Sequence, residues 1–257
     1  MLKNVIRSTL GLLNLEVHKK VEKRGAPFPV ELSPEERELF DYVRRNGLTM
    51  VSDERLFATI LACKHVVASG VEGEFVECGV WRGGNALLAA GLFKLYGATR
   101  KVYLFDTFAG MTLPTEHDTA AMTGEDAHAL YLSKAKESHN EFCYASLEDV
   151  KSAFKRADLL DANIIFIAGD VLSTLAVPDN LPQQIAVLRL DTDWYESTRM
   201  ELETLYPRLT IGGILMVDDY GYWNGARRAV DEYFAREPRP FLQYTDGTGR
   251  AGVKVSP

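Results

Sequence analysis

Cysteine is scarce in this chain: three residues in 257, Cys63, Cys78 and Cys143. The number is odd, the spacing is wide and there is no C-x-x-C, which argues against a disulfide framework and a cysteine zinc site and fits a reducing, cytoplasmic setting. Long apolar runs are missing too. Nothing approaches the roughly 20 residues needed to cross a bilayer, so no integral membrane segment is expected. The start, MLKNVIRSTLGLLNLEVHKK, has basic residues, but Arg7, Ser8, Thr9 and Asn14 interrupt its apolar stretch and no small-residue cleavage site follows. It does not read as a signal peptide. Positive charge is in deficit, 29 Lys and Arg against 36 Asp and Glu for a net −7, so no nucleic-acid partner is expected. Proline is limited to 10 residues, and there is neither an internal repeat nor a low-complexity tract. With 46% hydrophobic and 25% charged residues the chain has the balance of a globular protein, which excludes a disordered or collagen-like one.

What is present divides into two textures. Residues 1–70 read as a helical cap. Ser33 followed by Pro34, Glu35 and Glu36 marks a helix start, Leu39, Phe40 and Val43 share a face, and a second helix is expected over Asp53–Ala68. Leu2, Val5, Ile6, Leu12 and Leu13 make the beginning of the chain amphipathic, suited to a subunit contact or a flap over substrate. Residues 71–257 alternate short apolar runs with helical segments, the pattern of a doubly wound, Rossmann-like α/β sheet. Strands are predicted at 74–78, 101–106, 163–169, 185–191 and 212–219, with helices at Gly84–Tyr96, Leu147–Arg156, Ser197–Tyr206 and Ala226–Ala235. The segment Thr107–Ala145 breaks this rhythm. It is long and rich in Thr, His, Asp and Glu, and inserted segments of that length are usually lids or binding loops.

Two constellations carry chemistry. The first is Glu77-Cys78-Gly79-Val80-Trp81-Arg82-Gly83-Gly84, where the first strand turns into a helix. Glycines there let a ligand approach the backbone and the free amides of the helix start. The pattern is not G-x-G-x-x-G, which removes the main support for a nicotinamide cofactor, and an acid in its first position suits a cofactor bearing a positive charge or an amine. Asp106, closing the second strand, is placed to accept from a ribose diol. The alternative is a tight turn without a ligand, which leaves Asp106 unexplained.

The second constellation is Asp191-Thr192-Asp193 after the fourth strand and Asp218-Asp219 after the fifth. A helical crossover between adjacent strands brings all four acids to one sheet edge. Like charges packed together raise one another's pKa and call for a cation or strong hydrogen-bond support. An all-oxygen donor set favours Mg²⁺, with Mn²⁺ or Ca²⁺ as alternatives, over zinc. Helix N-capping would explain one acid per strand but not both pairs.

The segments GEFVECGVWRGGNA, VYLFDTFAGM, LTMVSDERL and LRLDTDWYESTRMELETLYPRLTIGGILMVDDYG resemble the macrocin, mycinamicin and novobiocin sugar O-methyltransferases. These are metal-dependent class I enzymes using S-adenosylmethionine. The resemblance spans roughly Leu48 to Phe234. It implies that Asp191, Asp218 and Asp219 hold Mg²⁺, that Asp193 is the general base, and that Thr49, Met50, Asp106 and the Glu77–Gly84 turn, with Gly79, Val80 and Gly83, bind the cofactor. It further implies adenine contacts at Ser146, Gly169, Asp170 and Val171, a small-molecule glycosylated acceptor such as a deoxysugar on a natural product, and a homodimer. The chain departs from the family's pattern at Thr192 and Trp194, where a glycine and a different apolar residue are usual, and in the lid. These departures bear on the acceptor, which a surface-glycan sugar or a phenol would also satisfy.

Methyl transfer from a sulfonium is an in-line displacement that needs an aligned acceptor oxygen and a base for its proton. A lid histidine, His117, His128 or His139, is an alternative base. Asp191-Thr192-Asp193 also matches the D-x-D of metal-dependent glycosyltransferases, a reading that leaves the Glu77 turn and Asp218-Asp219 unused. A nucleoside-binding scaffold protein would leave all four acids idle.

Overall fold

The computed structural model describes residues 28–257, and Glu31–Pro257 form one unit. The amphipathic start of the chain lies outside the described residues. Ser33 opens helix α1 (Pro34–Arg45) with a capping box: its Oγ accepts from Glu36 N at 3.2 Å, while Glu36 Oε2 accepts from Ser33 N at 2.7 Å. Ser52 caps helix α2 (Asp53–Ala68) in the same way through Arg55 N, and Leu56, Ile60, Cys63 and Val66 form its buried stripe. Glu36 is buried beneath α1. It accepts from the Tyr96 hydroxyl at 2.6 Å and pairs with Lys64 at 3.1 Å, so one carboxylate ties α1 to α2 and to the end of the next helix.

Seven strands form a single sheet in the order β3-β2-β1-β4-β5-β7-β6. The strands β1 (Glu74–Cys78), β2 (Val102–Asp106), β3 (Ile164–Ala168), β4 (Ile185–Leu190) and β5 (Leu209–Val217) run parallel. The short strands β6 (Gln243–Tyr244) and β7 (Arg250–Val253) close one edge, β7 running antiparallel to β5. Every residue of β4 is buried, as expected of a central strand covered on both faces. Helices α2 and α3 (Gly84–Leu95) pack on one face of the sheet. Helices α6 (Val171–Thr174) and α7 (Tyr195–Leu205) pack on the other, with α8 (Asn224–Tyr233) against α7. Two further helices are α4 (Ala127–Lys134) in the inserted segment and α5 (Leu147–Arg156) after it.

The chain winds outward from β1 to β3 and returns to start β4 on the far side of β1. Ligands of such sheets bind at the carboxyl ends of the two strands where the direction reverses. Gly79 shows how closely these ends meet: its φ is +81°, and a Cβ there would lie 1.8 Å from the Asp191 carbonyl oxygen. A side chain at this position would push β1 and β4 apart.

The doubly wound class and all five parallel strands agree with the sequence reading, as does α2 residue for residue. Strands β6 and β7 were not anticipated, and α7 and α8 each begin two residues before the expected start. Neither helix carries a side-chain cap on its own N-cap residue, Trp194 or Trp223, so the local start signal is missing. Among the described residues no helix is long and apolar enough to cross a membrane. Replacing Glu36 by Ala should remove the capping box and strand the Tyr96 hydroxyl, lowering unfolding free energy by about 2 kcal/mol in urea denaturation. Glu36→Gln, whose single amide oxygen can keep the Ser33 cap while its NH2 donates to the Tyr96 oxygen, should lose about half of that or less.

Candidate active site

At the sheet's carboxyl edge, where the winding reverses between β1 and β4, lies a cavity of about 500 Å³. Its electrostatics start from one residue. Arg189 stands in β4 directly opposite Glu77 of β1, with only 1% of its surface exposed. Its Nη1 lies 2.9 Å from Glu77 Oε1 and 2.5 Å from Asp191 Oδ2, while Nη2 reaches Asp218 Oδ1. A buried guanidinium needs such partners, and three carboxylates from three adjacent strands supply them. The excess negative charge is met partly by Arg55 of α2, whose Nη1 pairs with Asp218 Oδ2 and whose Nε lies 2.9 Å from Asp246 Oδ2.

Asp218 therefore has both oxygens engaged by arginines. The cluster that remains comprises Asp191, Asp193 and Asp219, each offering an oxygen within 4.8 Å of the others. Asp219 Oδ2 is buried without a hydrogen-bond partner. Burial pushes the Asp193 carboxyl up to about 7, with Asp191 and Asp218 adding to the rise and hydrogen bonds from Asp219 and Trp223 opposing it. Burial and neighbouring carboxylates likewise hold Asp191 and Asp219 well above the usual carboxylate range. Three carboxyl groups at this spacing share protons or take up a cation. The orphaned oxygen and the all-carboxylate donor set fit a hard divalent cation such as Mg²⁺.

The turn carrying Asp193 is strained and braced. Asp193 has φ +70°, a left-handed conformation that costs an L-residue roughly 1 kcal/mol. Trp194 N donates to Thr192 O across it at 2.8 Å. Thr192 Oγ1 sits 2.8 Å from both Ser197 Oγ and Glu201 Oε1. Glu201 is fully buried on α7, and burial raises its carboxyl to about 8.

Across the cavity lies the β1 turn. Glu77 Oε1 belongs to Arg189, but Oε2 is buried and unpartnered, and burial raises the carboxyl to about 7 despite the arginine. That oxygen is open to a donor entering the cavity, such as an ammonium group. Asp106, at the end of β2, engages the turn of β1 with its carboxylate. Oδ2 accepts from Val80 N at 2.6 Å and Trp81 N at 3.1 Å, and Oδ1 from Phe108 N at 2.7 Å, so it pins the turn that faces the cavity. The remaining lone pairs of these oxygens are what a ribose could still use.

Thr49, Met50, Glu77, Gly79, Val80, Asp106, Gly169, Asp170, Val171, Asp191, Asp193 and Asp219 all line the cavity. Three residues from the sequence reading do not. Gly83 faces α5, where a Cβ would meet Val150 Cγ1 at 2.9 Å. Ser146 caps α5, its Oγ accepting from Asp149 N at 3.2 Å. Asp218 is held in its arginine pairs behind the cavity wall. The lid contributes Met111, Thr112, Leu130, Phe142 and Cys143 to the lining, and none of His117, His128 and His139.

Arg189, Arg55 and the buried lid residue Asp118 were missed. A lone arginine within the apolar run IAVLRL was a usable signal, because a charge in a central strand must find buried partners.

Residues 10–242 match the model of the macrocin-O-methyltransferase (TylF) family. An 8-demethyl-8-(2,3-dimethoxy-alpha-L-rhamnosyl)-tetracenomycin-C 4'-O-methyltransferase of Streptomyces olivaceus is 37% identical over 206 residues, covering 78% of this chain and 73% of that protein. The demethyldecarbamoylnovobiocin O-methyltransferase of Streptomyces niveus is 36% identical, covering 74% and 69%. The mycinamicin III 3''-O-methyltransferase of Micromonospora griseorubida is 34% identical, covering 72% and 69%. Among solved structures, the O-methyltransferase NovP aligns with a TM-score of 0.72 at 32% identity, over 81% of this chain and 83% of that one.

Arg189→Met should leave Glu77, Asp191 and Asp218 without their common cation and destabilise the fold by about 3–5 kcal/mol, read as a lowered urea midpoint in chelator-containing buffer. A midpoint within experimental error of wild type would show that the carboxylates find other compensation.

Proposed function

The chain belongs to the macrocin-O-methyltransferase family, and from that premise we propose that it methylates a hydroxyl of a sugar, a deoxysugar carried by a glycosylated natural product. It is an S-adenosylmethionine-dependent O-methyltransferase of the class I fold. The observation that carries the acceptor chemistry is the carboxylate cluster of Asp191, Asp193 and Asp219 facing the Glu77 turn across one cavity. The rhamnosyl group in the name of the Streptomyces olivaceus enzyme's substrate supports the acceptor class. The glycosyltransferase reading of Asp191-Thr192-Asp193 falls with the family match.

When bound, S-adenosylmethionine supplies an electrophilic methyl group, and a divalent cation lowers the pKa of an acceptor hydroxyl. The residues divide the work around them. The free Oε2 of Glu77 accepts from the cofactor's ammonium, and the Gly79–Val80 amide turn, pinned by Asp106, supports the chain beside it. Thr49, Met50, Gly169, Asp170 and Val171 complete that half of the wall. Asp191 and Asp219 would hold the cation, with Asp218 or Asp193 as the third carboxylate within reach of the set. Asp193 would take the proton of the acceptor hydroxyl as that oxygen is methylated. The unpaired cysteines suit a cytoplasmic enzyme, and a homodimer completes the reading.

Calorimetric titration of S-adenosylhomocysteine with and without Mg²⁺ tests the cofactor half. Methyl-transfer assays on the rhamnosyl tetracenomycin, demethyldecarbamoylnovobiocin and mycinamicin III test the acceptor half. Asp193→Ala should keep S-adenosylhomocysteine affinity and lose about 10²–10⁴-fold in kcat, and retained turnover would remove Asp193 as the base. Asp219→Asn and Asp218→Asn should each weaken Mn²⁺ binding by about tenfold or more, a loss of about 1.4 kcal/mol. Wild-type Mn²⁺ affinity in Asp218→Asn, with loss in Asp193→Asn, would give the third ligand position to Asp193 instead.

A further inference from the structure

The turn that carries Asp193 is contacted from outside by the lid. Asp118 is fully buried in the inserted segment, and its Oδ1 accepts from Tyr195 N at 2.8 Å. Tyr195 is the first residue of α7, the helix whose own N-cap residue, Trp194, provides no side-chain acceptor. The other oxygen accepts from Thr115 N at 2.7 Å and Thr115 Oγ1 at 2.9 Å, which fixes the carboxylate's orientation from the lid side. A carboxylate at a helix start satisfies an orphan amide and meets the positive end of the helix dipole. Here it comes from a residue 77 positions away in the chain.

The contact is part of a wider seam. Trp194 Nε1 donates to Thr112 O of the lid at 3.0 Å, and the Trp194 ring packs with Ala120, Ala127 and Trp223. Lid residues 119–121 also stitch to the loop after β5: Asn224 N donates to Thr119 O at 2.9 Å and Ala121 N to Tyr222 O at 2.7 Å. Asp118 fills the space between the starts of α7 and α8 so tightly that a Cβ on Gly225 would lie 1.9 Å from its Oδ1. One lid carboxylate thus sits between the turn bearing Asp193 and the loop following Asp219.

We propose that Asp118 is a positioning residue for methyl transfer: docked on the Tyr195 amide, it holds the strained Asp193 turn in place and makes that placement depend on a folded lid. The proposal rests on Asp193 being the base. A turn with φ +70° at a non-glycine residue persists only if its surroundings hold it. Asp118 and Trp194 supply such a brace.

The test is hydrogen exchange on the full chain with S-adenosylhomocysteine bound, with kinetics on whichever of the three acceptors above the wild type methylates. In Asp118→Ala, amides of residues 193–198 should exchange about tenfold faster or more, a local opening that residues 74–90 of the cofactor half do not share. S-adenosylhomocysteine affinity should stay within about twofold, while kcat falls by about 10²-fold, the usual cost of a misplaced reacting group. Asp118→Asn retains an acceptor for Tyr195 N but turns its NH2 toward the Thr115 backbone N–H, and should recover part of both losses. Gly225→Ala, which displaces Asp118 without removing it, should reproduce the exchange pattern and guards against a folding defect peculiar to Asp118→Ala. Faster exchange confined to lid residues 112–130, with 193–198 unchanged in both variants, would overturn the proposal and leave Asp118 a lid-stabilising residue. Full turnover by Asp193→Ala would instead remove the base assignment while the exchange coupling stood.

Discussion

A single buried guanidinium organises this molecule. Arg189 sits at the centre of the sheet and cannot be desolvated without compensation, so Glu77, Asp191 and Asp218 converge on it from β1, β4 and the end of β5. The pairing constrains both sides. It holds the ends of three strands in register around one charge, and it leaves the site with more acid than base. Arg55 offsets part of the difference from outside the sheet, through α2 and Asp246 of the C-terminal hairpin. What remains is the cluster of Asp191, Asp193 and Asp219, where carboxyl groups stay close because the strands that carry them are tied behind them. Such a cluster is the all-oxygen donor set that a hard divalent cation would take.

The acceptor side is assembled from pieces distant in sequence. Met111, Thr112, Leu130 and Phe142 come from the insertion, Tyr222 and Trp223 from the loop after β5, and Thr248 from the turn between β6 and β7. The lid is not a loose strap: Trp194 and Trp223 meet edge to face at 5.0 Å within an apolar cluster that includes lid alanines. Such packing supplies the entropy cost of ordering a long insertion, which its own short helix α4 could not meet alone.

Much of this was legible in the sequence, for a physical reason. Parallel strands covered on both faces read as continuous apolar runs, and their carboxyl ends gather polar residues, so the five strands and the acids closing β4 and β5 stood out. Helix α2 was legible because both its cap and its buried stripe are local. Where the reading stopped, the determining partner was remote. Asp218 looked like a cavity residue until its contacts with Arg55, 163 positions earlier, and Arg189 were seen. Asp106 occupied the expected place at the end of β2, yet its oxygens serve the Val80 and Trp81 amides, a use that spacing along one chain does not reveal. The starts of α7 and α8 were misjudged because their own N-cap residues provide no side-chain acceptor. The strands β6 and β7 are too short to show alternation and owe their pairing to the exposed edge of β5.

The division of the site has a consequence for how such an enzyme can change. On the proposed reading of the site the cofactor wall is built from β1 to β3, where backbone amides and tight glycine approaches such as that of Gly79 to Asp191 leave little tolerance for substitution. The acceptor wall is built from the lid and two loop ends, where side chains set the shape and the backbone is anchored by a few contacts. Arg189 lies on the seam and belongs to both, since it neutralises Glu77 on one side and Asp191 with Asp218 on the other. Substitutions at Met111, Leu130, Phe142 or Tyr222 can therefore reshape the acceptor space without disturbing the charge balance that holds the carboxylates. A change to any member of the Arg189 set reaches both walls at once. Acceptor choice can thus diverge in the lid while the methyl-transfer chemistry stays tied to the sheet.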